Sequence, residues 1–355
     1  MSTLTAVILA GGQAKRMKSS VPKVLHRVAG RPMVCYPVRA ALEVGADQVL
    51  VVVPPNHQPR IAEELDRQFG AGRIQTLVQP VPRGTADAAQ VAIAEVTSPR
   101  VLILCGDTPL LRGEDLQALK TDFEGSAGTS LVMLSCKLAD PTGYGRVLRN
   151  ANGQVTEIRE HRDLRTEAER QVDEVNSGVY LGSTEPLRQA LSEVRPLNAQ
   201  GEYYLTDVVA ILSRSGAVRA VLGSPDALVG VNDRVQMRDV EELLYRRIIE
   251  RHARAGVTLH GHPSVDDTVE IGPDAVIEDG VQLRGNTRIG GGATIDVGSV
   301  VTDSTLGEGA LVKPYCVITS SRVGADAQVG PLAHLDAGSE VMEGAQVGIC
   351  TSTAR

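Results

Sequence analysis

The chain has 355 residues, more than one ordinary core accommodates, so at least two domains are expected. Apolar content of 42% and charged content of 22% fit a folded, water-exposed protein, and the net charge of −7 argues against broad nucleic-acid or membrane-surface binding. With no Trp, two Phe and seven Tyr, the core must be built from Val, Ile, Leu and Ala, as in buried parallel strands and solenoids.

The run from Ala6 to Ala10 is too short to span a bilayer and nothing basic precedes it, so a cytoplasmic protein without a signal peptide is expected. Five cysteines (Cys35, Cys105, Cys136, Cys316, Cys350) are scattered without metal-ligand spacing, which reads as reduced thiols. The same Ala6–Ala10 run, Gln48–Val53 and Val101–Leu104 lack polar alternation and end at Gly11-Gly12, Pro54-Pro55 and Gly106-Asp107. Strands buried on both faces have this pattern. Helical patterns lie between them, at Met33–Val44 and Ala86–Val96. Strand–helix alternation predicts a mostly parallel sheet, with ligands bound beyond the carboxyl ends of the strands.

The loops at those ends carry the chemistry. After Leu9-Ala10-Gly11-Gly12 come Lys15, Arg16, Lys18 and Lys23. Glycines let backbone N–H groups approach phosphate oxygens, and the cations offset charge on a departing pyrophosphate. No Gly-Lys-Ser/Thr follows at Walker A spacing. A tight turn with a solvated basic face would read alike. Asp107, after Gly106 at a strand end, suits Mg²⁺ held against phosphate oxygens, or a turn aspartate. Further on stand Asp140–Val147 with Gly145, Arg159-Glu160-His161, Val175-Asn176-Ser177-Gly178, Gly201–Asp207 and Gly230-Val231-Asn232-Asp233. Glu160 and Asn176 offer hydrogen bonds to sugar hydroxyls; Asn232 offers a metal ligand or a helix cap. From Asp233 to Ala255, Val240, Leu243, Leu244 and Ile248 at helical spacing predict an amphipathic linker.

Beyond residue 260 an aliphatic residue recurs every six positions: Ile271, Ile277, Leu283, Ile289, Ile295 and Val301. After a step of five, the period resumes at Leu306, Val312 and Ile318, and after a second, at Val323, Val329, Leu335, Val341 and Val347. Small residues such as Ala275, Ala293, Ser299 and Ala310 follow four positions later. This is the hexad of a β-helix, the aliphatic side chain inward and the small one easing the corner.

The ordered set Leu9-Ala-Gly-Gly, Arg16-Met17, Pro22-Lys23-Val24-Leu25-His26, Gly84-Thr85, Gly106-Asp107, Asp140–Arg146, Glu160-His161, Asn176-Ser177-Gly178, Gly201–Asp207 and Gly230-Val231-Asn232 resembles the bacterial bifunctional N-acetylglucosamine-1-phosphate uridylyltransferase/glucosamine-1-phosphate acetyltransferase family. The resemblance implies a Rossmann-like nucleotidyltransferase domain over 1–232, a linker helix over 233–256 and a short left-handed parallel β-helix over 257–355. It implies that Ala10, Gly11, Gln79, Gly84 and Thr85 hold the uracil base and nucleoside, and that Leu9, Gly12 and Gly106 are further substrate-binding residues. Arg16 and Lys23 would contact phosphates. Asp107 and Asn232 would ligate Mg²⁺, with Asp107, Arg16 and Lys23 as the catalytic set. Gly145, Glu160 and Asn176 would bind the N-acetyl sugar. The implied reaction joins UTP and N-acetylglucosamine 1-phosphate, giving UDP-N-acetylglucosamine and diphosphate for cell-wall and lipopolysaccharide precursors. Another sugar-1-phosphate nucleotidyltransferase (thymidylyl, or glucose 1-phosphate) and a catalytically weak nucleotide-sugar-binding scaffold are the alternatives. No nucleic-acid or membrane partner is expected, and a homotrimer through the β-helix is.

Two departures stand out. The family's Gly-Thr before the arginine is Ala14-Lys15 here, and Ala reaches positive φ only at a cost of ~1 kcal/mol or more. After Glu343-Gly-Ala-Gln-Val-Gly348 the sequence reaches Arg355, and the family's Arg-x-Arg-Pro-Gly reads His334-Leu-Asp-Ala-Gly338. The expectation is therefore no acetyltransferase activity, with His334 at the surface of a coil corner.

Overall fold

A computed structural model describes residues 3–12, 15–228, 230–349 and 351. Ala14, the Lys15 side chain and Cys350, singled out above, lie outside the described residues. The chain divides into two compact units, Met1–His26 with Pro32–Met237, and Arg27–Arg31 with Arg238–Arg355.

The first unit is built on a mixed sheet. Its strands are β1 (Leu4–Leu9), β2 (Gln48–Val53), β3 (Gln75–Val78), β4 (Arg100–Cys105), β5 (Leu131–Lys137), β6 (Arg146–Arg149), β7 (Val155–Arg159), β8 (Glu174–Ser183) and β9 (Val218–Leu222). The order is β9-β5-β8-β4-β1-β2-β3, with the β6–β7 hairpin attached through β8. Strands β1 to β4 pair in parallel, and β9 is parallel to β5. β8 runs antiparallel between β4 and β5, so the sheet is mostly, not wholly, parallel.

The unpatterned apolar runs are explained by burial on both faces. Ala6 and Ile8 of β1 pack into one core with Val49, Val51, Leu102 and Leu104. Val7 points into a second core with Leu50, Val52, Val101 and Ile103. Successive side chains of a strand face opposite sides, so a strand between two helical layers needs an apolar residue at every position. Each fully buried Val, Leu or Ile side chain contributes about 1.5–3 kcal/mol. The register aligns Leu9 with Val52 and with Cys105, and Val53 with Val78. The loops that begin at Ala10, Pro54, Gln79 and Gly106 therefore emerge along one edge of the sheet.

The second unit takes most of the helix Arg234–Arg254, which buries Val240, Leu244, Ile248 and His252 at helical spacing; Leu243 is half-buried. It also takes Arg27–Arg31 of the two-stranded ribbon Arg27–Val28/Arg31–Pro32, whose Ala29 N–H donates to Glu241 (2.9 Å). Two-residue strands carry no readable pattern, and the sequence offered no sign of this ribbon. Then come short strands from Thr258–Leu259 to Gln346–Val347, which among the described residues form three parallel sheets of six, five and five strands. This is a left-handed parallel β-helix. Partners lie 18 residues apart, as in Leu283↔Val301, or 17, as in Val301↔Ile318. The period also extends backward to Val265 and Leu259.

The two five-residue steps fall at one corner of successive coils. There Asp303 (φ 49°) and Ser320 (φ 43°) turn the chain. The small residues do more than ease the corners: Ala275, Thr287, Ala293, Ser299 and Ala310 are themselves wholly buried, facing inward with the aliphatics. His334 does not sit at a corner. It lies on the strand His334–Leu335, its exposed ring 3.4 Å from the Asp336 carboxylate.

Candidate functional site

The Leu9–Gly12 turn leaves the sheet edge with Ala10 N–H bonded to the Val52 carbonyl (2.8 Å). Across it, Gly106 N–H donates to the Leu9 carbonyl (2.9 Å). A Cβ at Gly106 would stand 3.1 Å from that carbonyl and 3.2 Å from the Ala10 Cβ, a tight fit before Asp107. A Cβ on Gly11 would lie 2.7 Å from the Gln79 Oε1. A cavity of about 450 Å³ opens here, lined by Leu9, Ala10, Gly11, Gly12, Lys23, Gln79, Gly84, Thr85, Asp107 and Glu202 among others. A second, of about 490 Å³, shares Ala10–Gly12, Lys23, Val24 and Pro82 with it and extends past Lys18–Pro22 toward Pro54–His57.

Gly84, at φ 132°, precedes the helix Thr85–Ile93. A Cβ there would fall 2.4 Å from the Tyr203 carbonyl oxygen, so this position is closed to every other residue. Tyr203 N–H donates to the Arg83 carbonyl, Ala86 N–H to the Tyr203 carbonyl (both 2.8 Å), and Leu205 N–H to Thr85 Oγ1 (2.9 Å). The Gly201–Asp207 segment thus braces Gly84-Thr85 from behind.

Lys23 stands on the 3₁₀ turn Lys23–Leu25, anchored by buried Val24 and Leu25. Its ammonium donates to Asp107 and lies 3.4 Å from the Asn232 Oδ1. Asn232 is delivered by Val231, whose N–H donates to the Asp107 carbonyl (2.9 Å). Asn232 is not the cap of the following helix. Asp233 is: its Oδ1 accepts from Val235 and Gln236 N–H (3.0 and 2.9 Å). Arg16, on the turn Lys15–Met17, is exposed and is not among the residues lining either cavity.

Gly145, Glu160 and Asn176 form a neighbouring group. Asn176 N–H donates to the Gly145 carbonyl (2.9 Å), and a Cβ on Gly145 would stand 3.3 Å from a Glu160 oxygen. β8 breaks register at this point, with Gly178 at φ 76°. The irregularity turns the Asn176 Oδ1 onto the Gly178 N–H (3.1 Å) and the Tyr180 hydroxyl (3.0 Å). With its oxygen doubly engaged, the amide has its N–H₂ left to donate. Glu160 accepts from Thr206 Oγ1 (3.2 Å). Burial, with Asp163 and Asp207 nearby, pushes its carboxyl above the usual range despite that hydrogen bond.

Cys105 lines the cavity, and its Sγ would be 2.7 Å from a Cβ on Gly178. Burial, then the Asp107 charge, pushes its thiol up to about 12. A neutral thiol is no nucleophile. Sequence reading assigned no role to Cys105, Pro82 or Glu202, all of which line the cavity. Their positions follow from the register and from the Tyr203 brace, neither of which a lone sequence displays.

A mostly parallel sheet with a glycine turn, a lysine and a carboxylate at the carboxyl ends of its strands is the arrangement found in nucleotidyltransferases, the class that the comparisons with known proteins give. Residues 6–174 match the MobA-like NTP transferase domain. The chain is 47% identical over 357 residues to the bifunctional protein GlmU of Sorangium cellulosum (strain So ce56), covering 99% of this chain and 75% of that protein. It is 42% identical over 358 residues to the GlmU of Anaeromyxobacter sp. (strain Fw109-5), covering 99% and 72%, and 39% identical over 362 residues to that of Trichlorobacter lovleyi, covering 100% and 77%. The chain belongs to the GlmU family.

Enzymes of this family act on nucleotide and sugar-phosphate substrates and use a divalent metal. The residues here fit one. The Asp107 carboxylate and the Asn232 amide oxygen converge on a single cation, the Lys23 ammonium. Two hard oxygens beside a triphosphate suit a small divalent ion that takes its other ligands from phosphate and water. No described helix is long and apolar enough to cross a membrane.

Proposed function

We propose that this enzyme transfers the uridylyl group of UTP to N-acetyl-α-D-glucosamine 1-phosphate, giving UDP-N-acetylglucosamine and diphosphate for cell-wall and lipopolysaccharide precursors. The observation that carries the reading is the Lys23–Asp107–Asn232 cluster at the rim of a cavity walled by Gly11, Gln79, Gly84 and Thr85. The nucleoside occupies that cavity, close against glycines that leave room for it. The Asn176 N–H₂ and the Glu160 carboxylate hold the N-acetyl sugar on the neighbouring side. A sugar-phosphate oxygen then attacks the α-phosphorus in line, and the bond from that phosphorus to the β-phosphate bridging oxygen breaks. Such a step asks for positioning and charge neutralisation rather than a nucleophilic side chain. Lys23, with Arg16 on the preceding turn, offsets charge on the departing diphosphate. Asp107 and Asn232 hold Mg²⁺, which when bound neutralises phosphate oxygens.

We also infer assembly through the β-helix, as a trimer, with the reaction taking place in the cytoplasm. Tyr315, Val317 and Leu332 support the assembly: all are exposed, and Leu332 N–H bonds to Pro314 of the preceding coil, which brings them together. Sedimentation of the purified chain tests it. The function is tested by pyrophosphate release with Mg²⁺ and N-acetylglucosamine 1-phosphate. Release with UTP, and not with dTTP or CTP, is expected. Release with dTTP and glucose 1-phosphate instead would overturn the substrate assignment.

A further inference from the structure

Gln79 and Asp87 are both polar, both nearly inaccessible (3% and 5% exposed), and both beside the nucleotide cavity. The Gln79 Nε2 donates to the Gly84 carbonyl (3.2 Å) and to the Asp87 Oδ2 (2.7 Å). The other Asp87 oxygen is gripped by Arg83, through Nε (3.0 Å) and Nη2 (2.6 Å). Arg83 in turn lies over the Tyr203 ring, 5.7 Å from its centroid, next to the segment that braces Gly84. Both N–H bonds of the Gln79 amide are therefore spent on acceptors behind the cavity wall. Its Oε1 is what remains on the Gly11 side.

A glutamine amide is ordinarily ambivalent, since a half-turn exchanges donor for acceptor. Here the half-turn is closed. It would set Oε1 against a carboxylate oxygen and a carbonyl oxygen, three acceptors with no proton among them, in a place where water scarcely reaches. We propose that Asp87 is a positioning residue that fixes the polarity of the Gln79 amide, so that the cavity presents a lone acceptor to the nucleobase and selects one with a ring N–H at that edge.

Among pyrimidines, uracil and thymine carry that N3–H. Cytosine offers a lone pair at the same atom, and two acceptors would face each other. Selectivity against an analogue lacking the required donor is strong when the site's polar group is buried and cannot re-pair. Asp87 touches neither base nor phosphate in this arrangement. It acts through Gln79 alone, and the sequence gives no hint of it, because an aspartate in the first turn of a helix ordinarily reads as a solvated charge complementing the helix dipole.

The inference rests on the uridylyltransferase reading, and the test separates the two. The wild-type enzyme is assayed for pyrophosphate release with UTP, CTP and N3-methyl-UTP. Asp87→Asn and Asp87→Ala are then assayed with UTP and CTP, with KM and kcat resolved. Wild type should use UTP and discriminate against both CTP and N3-methyl-UTP by 100-fold or more. In Asp87→Asn the Gln79 amide is free to turn. The UTP-to-CTP ratio of kcat/KM should fall at least tenfold, mostly through KM, with CTP use rising in absolute terms. Should Asp87→Asn unfold, Asp87→Ala, which removes the same acceptor from the Gln79 Nε2, carries the same expectation. Equal use of UTP and N3-methyl-UTP would overturn the proposal. So would Asp87 variants that lose both nucleotides in equal proportion. No turnover of UTP by the wild type would instead overturn the functional reading beneath it.

Discussion

Lys23 and Asp107 meet as a salt bridge in the lining of the cavity, both largely shielded, with the Asn232 amide oxygen 3.4 Å from the same ammonium. The lysine thus sits where two side-chain oxygens converge. A divalent ion binding Asp107 and Asn232 must share those oxygens with the ammonium or displace it, and a triphosphate gives Lys23 somewhere to go.

Lys23→Gln should therefore act in opposite directions on binding and turnover. Removing the competing ammonium should tighten Mn²⁺ binding to the nucleotide-free protein several-fold, read by electron paramagnetic resonance. Pyrophosphate release should fall by ~10²-fold or more, the cost of removing one preorganised positive group from developing charge. Unchanged Mn²⁺ affinity would contradict the shared-site account.

Gly84→Ala should impair the nucleotide site and spare the rest. The added methyl meets the Tyr203 carbonyl at 2.4 Å in a backbone conformation at φ 132°. The Thr85–Leu205 brace must shift, and displacement of about 1 Å at a reacting site costs ~10²-fold. The expected outcome is a loss of that size in kcat/KM for UTP, with a far-ultraviolet circular dichroism spectrum like that of the wild type.

Asp207 begins the helix Asp207–Ser213, and burial, then Asp163 and Glu157, push its carboxyl up to about 6. The folded protein holds this proton more tightly than the unfolded chain. The stability linked to it is fully present below the ordinary value of 3.8 and is lost as pH rises through about 6. Asp207→Asn should be neutral near pH 4 and stabilising at pH 8, on the order of 1–2 kcal/mol once solvent screening is allowed for. Thermal unfolding at the two pH values checks this. A variant less stable than wild type at pH 8 would show that the charge is instead welcomed by the helix N-terminus.

In the β-helix, a Cβ on Gly285 would lie 2.2 Å from the Asp303 Oδ1, which accepts from Asn286 N–H (2.8 Å) in the coil before it. Gly285→Ala loses that fit and strains a φ of 62°, for a cost of ~2 kcal/mol. Leu283→Ala, deleting a wholly buried rung, should cost 2–5 kcal/mol, as roughly expected for core leucines. Denaturant unfolding of both variants measures these. An unchanged midpoint for Leu283→Ala would mean the stack does not carry the load its burial implies.

What could be read from sequence follows from what repeats. Ile277, Leu283 and Ile289 face inward at each third of a coil, so the solenoid writes itself into the chain as a period of six. β1, β2 and β4 were legible because two-sided burial removes polar residues altogether. Strand direction was not: the apolar pattern of β8 reads the same in either sense, and only pairing reveals it as antiparallel. Among the site residues, a glycine forced by close approach, Gly84, left a mark in the sequence. Arg16 marked the loop, yet its side chain is exposed and does not line either cavity. Asp87 and the Asp233 cap were invisible, because an aspartate's role depends on which N–H or amide reaches it across the fold.

The central claim is most directly tested by following the purified enzyme, Mg²⁺, UTP and N-acetylglucosamine 1-phosphate by ³¹P nuclear magnetic resonance. The account predicts that the β- and γ-phosphate signals of UTP give way to inorganic pyrophosphate, with the two resonances of UDP-N-acetylglucosamine appearing in equal amount. It predicts no reaction by Asp107→Ala under the same conditions. Release of orthophosphate in place of pyrophosphate, or UDP-N-acetylglucosamine formed at the wild-type rate by Asp107→Ala, would contradict it.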